Sequence, residues 1–93
     1  MVVRFRDAAT EAIWNGRRSR GLPPDIQPTA LRKRRLINNA RTLGDLRVPP
    51  GNRLEALSKN RRGQHSIRID DQWRICFIWR DGHAHEVEIV DYH

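Results

Sequence analysis

From about residue 53 onward the hydrophobic period of this chain changes from 3.6 to 2, and an Asp-Gly pair at 81 and 82 separates its two longest alternating runs. Asp-Gly between alternating runs is a strong signal for a two-residue hairpin, because both central residues adopt positive φ at small cost. Four strands follow from the pattern: Arg53–Ser58, His65–Ile69, Trp73–Arg80 and Ala84–Tyr92. The segments "KNRRGQ", "DDQ" and "DG" separate them. Successive strand residues point to opposite faces. Trp73, Ile75, Phe77 and Trp79 therefore form an apolar face, and Arg74, Cys76, Ile78 and Arg80 lie on the other. In the last strand His83, His85, Val87, Ile89, Asp91 and His93 share one parity, and Ala84, Glu86, Glu88, Val90 and Tyr92 the other.

The first half reads differently. Val2–Arg6 ("VVRFR") is short, β-branched and alternating, and predicts a first strand. Asp7 can cap a helix running to about Gly16, with Ala9, Ala12, Ile13 and Gly16 on one face. Arg17–Pro24 ("RRSRGLPP") combines charge, glycine and paired prolines, and reads as an exposed, mobile connection. A second helix is expected over Asp25–Thr42, with Pro28 in its first turn, where a missing N–H does little harm. Its apolar stripe is Ile26, Ala30, Ile37 and Ala40, flanked by Leu36 and Leu43. The run Arg32–Arg35 ("RKRR") lies within it, and 100° steps prevent those cations from sharing one ligand. Most of them read as solvated surface. Val48–Asn52 ("VPPGN") is a loop. The order β-α-α-β-β-β-β predicts an α+β fold, two helices packed on a mainly antiparallel sheet, in one domain spanning residues 1–93.

Charge narrows the function. The formal net charge is +7, and of 18 basic residues only Lys33 and Lys59 are lysines. Arginine's planar fork suits phosphate oxygens and base stacking, so a polyanionic partner is expected, nucleic acid or an acidic protein. The single cysteine, Cys76, makes no internal disulfide and lies in the apolar run "WRICFIW", which reads as a buried thiol. The N-terminal "MVVRFRDAATEA" has no apolar stretch of signal-peptide length, and apolar runs are too short to span a bilayer. A cytoplasmic protein without a membrane partner is expected.

Arg68 and Arg74 fall on one sheet face at one end of a hairpin, close to the basic turn Lys59–Arg62 ("KNRR"). Two readings are open: a phosphate site, or cross-strand ion pairs with Glu86 and Glu88. The terminal Asp91, Tyr92 and His93 likewise read either as a polar, fraying end or as a cluster of proton-transfer groups. His65 shares an apolar strand face and reads as a satisfied core histidine. His83 and His85, two apart near a turn, are a weak metal pair, and no metal or other cofactor is expected. Trp14 reads as a packing residue.

The ordered set "GNRLE", "GQHSIRI", "QWRICF" and the terminal "VDYH" closely resembles the HigB branch of the RelE-like toxins, and the resemblance covers nearly the whole chain. It implies a RelE-like fold and a toxin of a type II toxin–antitoxin system that cleaves mRNA in the ribosomal decoding site. It also implies neutralisation by a HigA-type antitoxin with a helix-turn-helix domain. The motifs carry the family's active-site arginine onto Arg74 and its terminal acid, phenol and imidazole onto Asp91, Tyr92 and His93. Lys59, with Arg61 beside it, matches the family's basic turn; Arg62 and Arg68 complete the expected RNA-binding set. One departure is Glu55, which stands where some members carry a histidine. The implied chemistry needs no metal: Arg74 stabilises the phosphorane, His93 and Tyr92 move protons, and Asp91 orients His93 or acts as base. The competing reading is a non-catalytic basic module that binds RNA or an antitoxin. Under the toxin reading, Arg17–Pro24 is expected to order on antitoxin binding.

Overall fold

The computed structural model describes residues 2, 4–6, 10–12, 15 and 22–91. Trp14, Tyr92 and His93, and most of the expected first helix and of the Arg17–Pro24 connection, lie outside them. A 3-10 turn, Pro24–Ile26, leads into helix α1, Gln27–Asn39, with Pro28 in its first turn. Four strands follow: β1 Glu55–Ala56, β2 His65–Arg68, β3 Trp73–Arg80 and β4 His83–Asp91. They form an antiparallel sheet in sequential order, β1-β2-β3-β4. Val2 and Phe5 add parallel bridges to Ala84 and Val87 on the free side of β4. Residues 10–12 are helical, and the buried Thr10 hydroxyl accepts a hydrogen bond from the Ile89 N–H at 3.0 Å. The chain is thus α+β, as its pattern predicts.

One core lies between α1 and the sheet. Ile26, Ala30, Ile37 and Ala40 of the helical stripe pack with Leu46, Ile67, Ile75, Phe77, Ala84 and Val87. Leu22 belongs to that core, so the Arg17–Pro24 connection is not exposed throughout. Leu36, Leu43, Trp73 and Trp79 border the core, half-buried.

Three departures from the sequence reading shape the site. Helix α1 stops at Asn39 rather than Thr42, because Thr42 and Asp45 form a reciprocal capping box that starts a 3-10 turn, Leu43–Arg47. The Asp45 carboxylate accepts from the backbone N–H groups of Arg41 and Thr42 at 2.9 and 3.1 Å. Strand β1 is two residues long, not six, because left-handed Arg53 (φ 44°) precedes it and a 3-10 turn, Lys59–Arg61, follows.

The third departure is a β-bulge. Cys76 pairs with Glu88 but Ile78 with His85, so Phe77 faces two residues of β4. Glu86 takes up the extra residue at φ 52°. The strict alternation expected for the last strand therefore breaks. Ala84, Val87 and Ile89 all reach the core, and His85 turns to the opposite face with Ile78.

Candidate active site

Arg74 leaves β3 on the face away from α1, yet it is only 7% exposed. A buried guanidinium needs hydrogen-bond acceptors to offset lost hydration. Ser66, fully buried on β2, supplies two: its hydroxyl accepts from Arg74 Nε at 2.7 Å and its carbonyl from an Arg74 Nη at 3.3 Å. The Arg53 carbonyl accepts a further bond from the same Nη. Arg53 can present that carbonyl because it closes the 3-10 turn Pro50–Asn52 in the left-handed region (φ 44°, ψ 59°). Such a backbone persists in a non-glycine residue only where neighbours hold it.

The neighbour that holds it is Asn52. Its side chain is fully buried, and Nδ2 donates to the carbonyls of Leu46 and Val48 at 3.1 and 3.3 Å. Its Oδ1 accepts from Lys33 Nζ on α1. Burial, with lesser repulsion from Arg32 and Arg68, pushes the Lys33 amine below its ordinary range. A buried polar chain thus runs from α1 through Asn52 and Arg53 to the Arg74 guanidinium.

Arg68 is the cross-strand partner of Arg74. Like charges directly opposite weaken strand pairing, a cost that a bound anion would relieve. Asp71 pairs with Arg68, its own carboxylate 96% exposed. Asp70 closes the hairpin by accepting from the N–H groups of Gln72 and Trp73 at 2.9 and 2.8 Å. Arg53, Glu55, Arg68, Asp70, Asp71 and Arg74 line a shallow cleft of about 280 Å³. Arginine is the side chain best suited to a phosphodiester, and three arginines line this one open cleft.

Arg68 and Arg74 lie opposite one another on one sheet face, as the alternation predicts. Glu86 pairs with Arg4, and Glu88 with Arg6 and Arg61. Arg61 lies on the same sheet face but off the cleft, half-buried, bonded to Gln64 and to Glu88, which stands opposite Cys76. Lys59 and Arg62 are exposed on the turn around it and do not line the cleft. Asp91 ends β4 opposite Trp73, so alternation sends its side chain to the face away from Arg74, where it accepts from Gln72 Nε2 at 3.0 Å.

His65 does stack on Phe77 (6.5 Å between ring centres), but its buried Nδ1 has no hydrogen-bond partner among the described residues, so it is not the satisfied histidine expected. It faces a separate cleft of about 510 Å³ with Leu43, Arg47 and Leu54. Among the described residues no three His, Cys, Asp or Glu side chains converge on a common point. Cys76 is buried as expected; burial pushes its thiol up, partly opposed by Arg61 and Arg74.

Sequence reasoning missed Ser66, Asn52, Arg53 and Lys33. For Lys33 a signal existed: it continues the spacing Ile26, Ala30, Ile37 and so occupies a core position of the helix. Ser66 shares parity with Arg68, which marked its face but not its role. Nothing local marks Asn52 or Arg53.

The fold is shared by YafQ from Escherichia coli strain BL21(DE3), whose crystal structure superposes with a TM-score of 0.58 at 12% identity, covering 98% of this chain and 93% of that one. The chain belongs to the HigB-like family of RelE-like toxins of type II toxin–antitoxin systems, whose model matches residues 3–93. It is 39% identical over 85 residues to Toxin HigB-1 of Vibrio cholerae serotype O1, covering 90% of each chain. It is also 27% identical over 66 residues to an uncharacterised Haemophilus influenzae protein, covering 71% of this chain and 65% of that one. A toxin of this class has an antitoxin as its partner. No helix among the described residues is long and apolar enough to cross a membrane.

Proposed function

We propose that this protein, acting as one domain in the cytoplasm, is an endoribonuclease that cleaves mRNA on the ribosome without a metal cofactor, and that a HigA-type helix-turn-helix antitoxin restrains it. The observation that carries this reading is the mounting of Arg74. Its guanidinium is fixed by the Ser66 hydroxyl and the Arg53 backbone carbonyl at the edge of a cleft. Fixed donors aimed at developing charge stabilise a transition state more than mobile ones, because they need no reorganisation. Arg68 and Arg53 share the cleft; Lys59, Arg61 and Arg62 extend the basic surface along the RNA. Proton transfer draws on the chain end, Tyr92 and His93, with Asp91 beside them.

Expression of the wild type, Arg74→Ala and a form lacking His93, with mapping of mRNA 5′ ends, tests the proposal. Growth arrest with codon-phased cuts, lost in both variants, supports it. Cuts that persist in both variants would refute the site assignment. RNA or antitoxin binding without any cleavage would favour the non-catalytic module.

A further inference from the structure

Resting on that reading, we infer that Asn52 is a positioning residue of the reaction: through the Arg53 peptide it sets where the Arg74 guanidinium stands in the cleft. The guanidinium is gripped from two sides. Ser66 holds one, with its hydroxyl on Nε and its carbonyl on one Nη. Ser66 sits inside the sheet, paired with Glu55 on β1 and Cys76 on β3, so the ladder fixes both of its acceptors. The Arg53 carbonyl holds the other side, and Arg53 belongs to no strand. Its place depends on the turn that carries it.

That turn is held by a side chain. The Asn52 N–H donates to the Pro49 carbonyl at 3.0 Å and the Arg53 N–H to the Pro50 carbonyl at 3.1 Å, which brings the chain round. Arg53 then leaves in the left-handed region, which residues with a side chain rarely occupy. Asn52 Nδ2 reaches back to the carbonyls of Leu46 and Val48, tying the end of the loop to its beginning. Its Oδ1 accepts from Lys33 Nζ, tying both to α1. Asn52 is fully buried and does not line the cleft, so any effect it has on RNA passes through Arg53 and Arg74.

The lever is short enough to matter. A carbonyl oxygen stands about 1 Å off the Cα–C axis, so a ψ change of about 60° at Arg53 moves its oxygen by about 1 Å. Relaxation of Arg53 out of the left-handed region is a larger change than that. It carries the acceptor off the Arg74 Nη and releases that side of the grip. A displacement on the order of 1 Å in a group that stabilises the transition state costs about 100-fold in rate, even when the altered residue is remote from the reacting atoms.

The test is single-turnover cleavage of a defined mRNA on purified ribosomes, titrated to saturating toxin at a temperature where circular dichroism shows each variant folded. Motion of the Arg74 Nε–H is read in parallel by 15N relaxation of the free protein, its resonance identified by its loss in Arg74→Lys. Asn52→Asp keeps the shape of the side chain and an acceptor for Lys33, and cannot donate to Leu46 and Val48. It should lower the saturating rate by about 10- to 100-fold, with the half-saturating concentration within twofold of wild type. The Nε order parameter should fall from about 0.85 to below about 0.6. Ile37→Ala, fully buried in α1 one turn from Lys33, controls for lost stability and should leave both readouts within twofold of wild type. An Asn52→Asp rate within twofold of a cleaving wild type would overturn the assignment. So would an unmoved Nε order parameter, a rate loss matched by an equal loss of binding, or an equal loss in Ile37→Ala. A wild type that binds ribosomes but cuts no RNA would instead remove the proposed nuclease activity, and the Nε motion would still decide whether Asn52 fixes Arg74.

Discussion

Replacing Asn52 by alanine should be among the most damaging single changes in this protein. Asn52 is fully buried and makes three hydrogen bonds: from Lys33 Nζ, and to the carbonyls of Leu46 and Val48. A bond to a charged group contributes about 1.5–3 kcal/mol and each neutral one about 0.5–1.5 kcal/mol, and partners left buried and unpaired add desolvation cost. Because the three share one site and are not additive, a total of about 3–4 kcal/mol is expected. A domain of this length has only about 5–14 kcal/mol in hand. At roughly 4–8 °C per kcal/mol, Tm should fall by about 15 °C or more, read by circular dichroism with urea titration as a check. The double change Lys33→Met with Asn52→Leu removes donor and acceptor together and should cost much less than Asn52→Ala plus Lys33→Met. A fall below about 4 °C for Asn52→Ala, or strict additivity in the double variant, would show that this buried chain is not what holds the 50–53 turn. The same network gives a pH signature. Burial lowers the Lys33 pKa in the folded state, so the folded chain gives up this proton before the unfolded chain does. The unfolded state then binds more protons just below pH 10.5, and this contribution to stability rises with pH through that window. Lys33→Met should flatten the rise.

Cys76 acts with the opposite sign: its raised folded pKa keeps the thiol protonated while the unfolded chain ionises above 9.0, so stability is lost as pH climbs from there. Cys76→Ala should abolish that loss, and a thiol reagent should label native protein far more slowly than urea-unfolded protein. Ser66→Ala leaves Arg74 Nε without its hydroxyl acceptor; cleavage should fall about tenfold with stability reduced by about 1 kcal/mol, and Ser66→Thr should restore part of the rate. Asp45 is held below its usual carboxylate range by backbone bonds from Thr42 and Arg41, so its contribution is present above pH 3.8 and lost on acidification. Carboxyl NMR should show it titrating below 3.8, and Asp45→Asn should remove that signal without altering cleavage. Ile37→Ala, at a fully buried position of α1, should cost about 2–5 kcal/mol by urea unfolding.

Much of this was legible in the chain because backbone periodicity is local. The alternation in "WRICFIW" required a strand, Asp81-Gly82 required a tight turn, and the Ile26–Ala30–Ile37–Ala40 spacing required a helix with one buried stripe. The pairing of Arg68 with Arg74 on one face followed from the same alternation and the "DDQ" turn. The bulge at Glu86 did not, since a single residue with positive φ leaves no mark in a hydrophobic pattern. It reverses the parity of β4, which is why Ala84 and Val87 both reach the core.

The amino-acid sequence by itself determined the element types, the α+β class, the charge that calls for a polyanionic partner, and the motifs that mark the family. Tertiary structure alone decided which polar groups are buried and what they hold. Arg74 is a fixed donor rather than a solvated one because residues 8 and 21 positions away supply its acceptors. Lys33 is buried in the core stripe because Asn52, 19 residues on, meets it. Burial of a charge is favourable only when its partners arrive together. That depends on how distant segments pack, which no local period records.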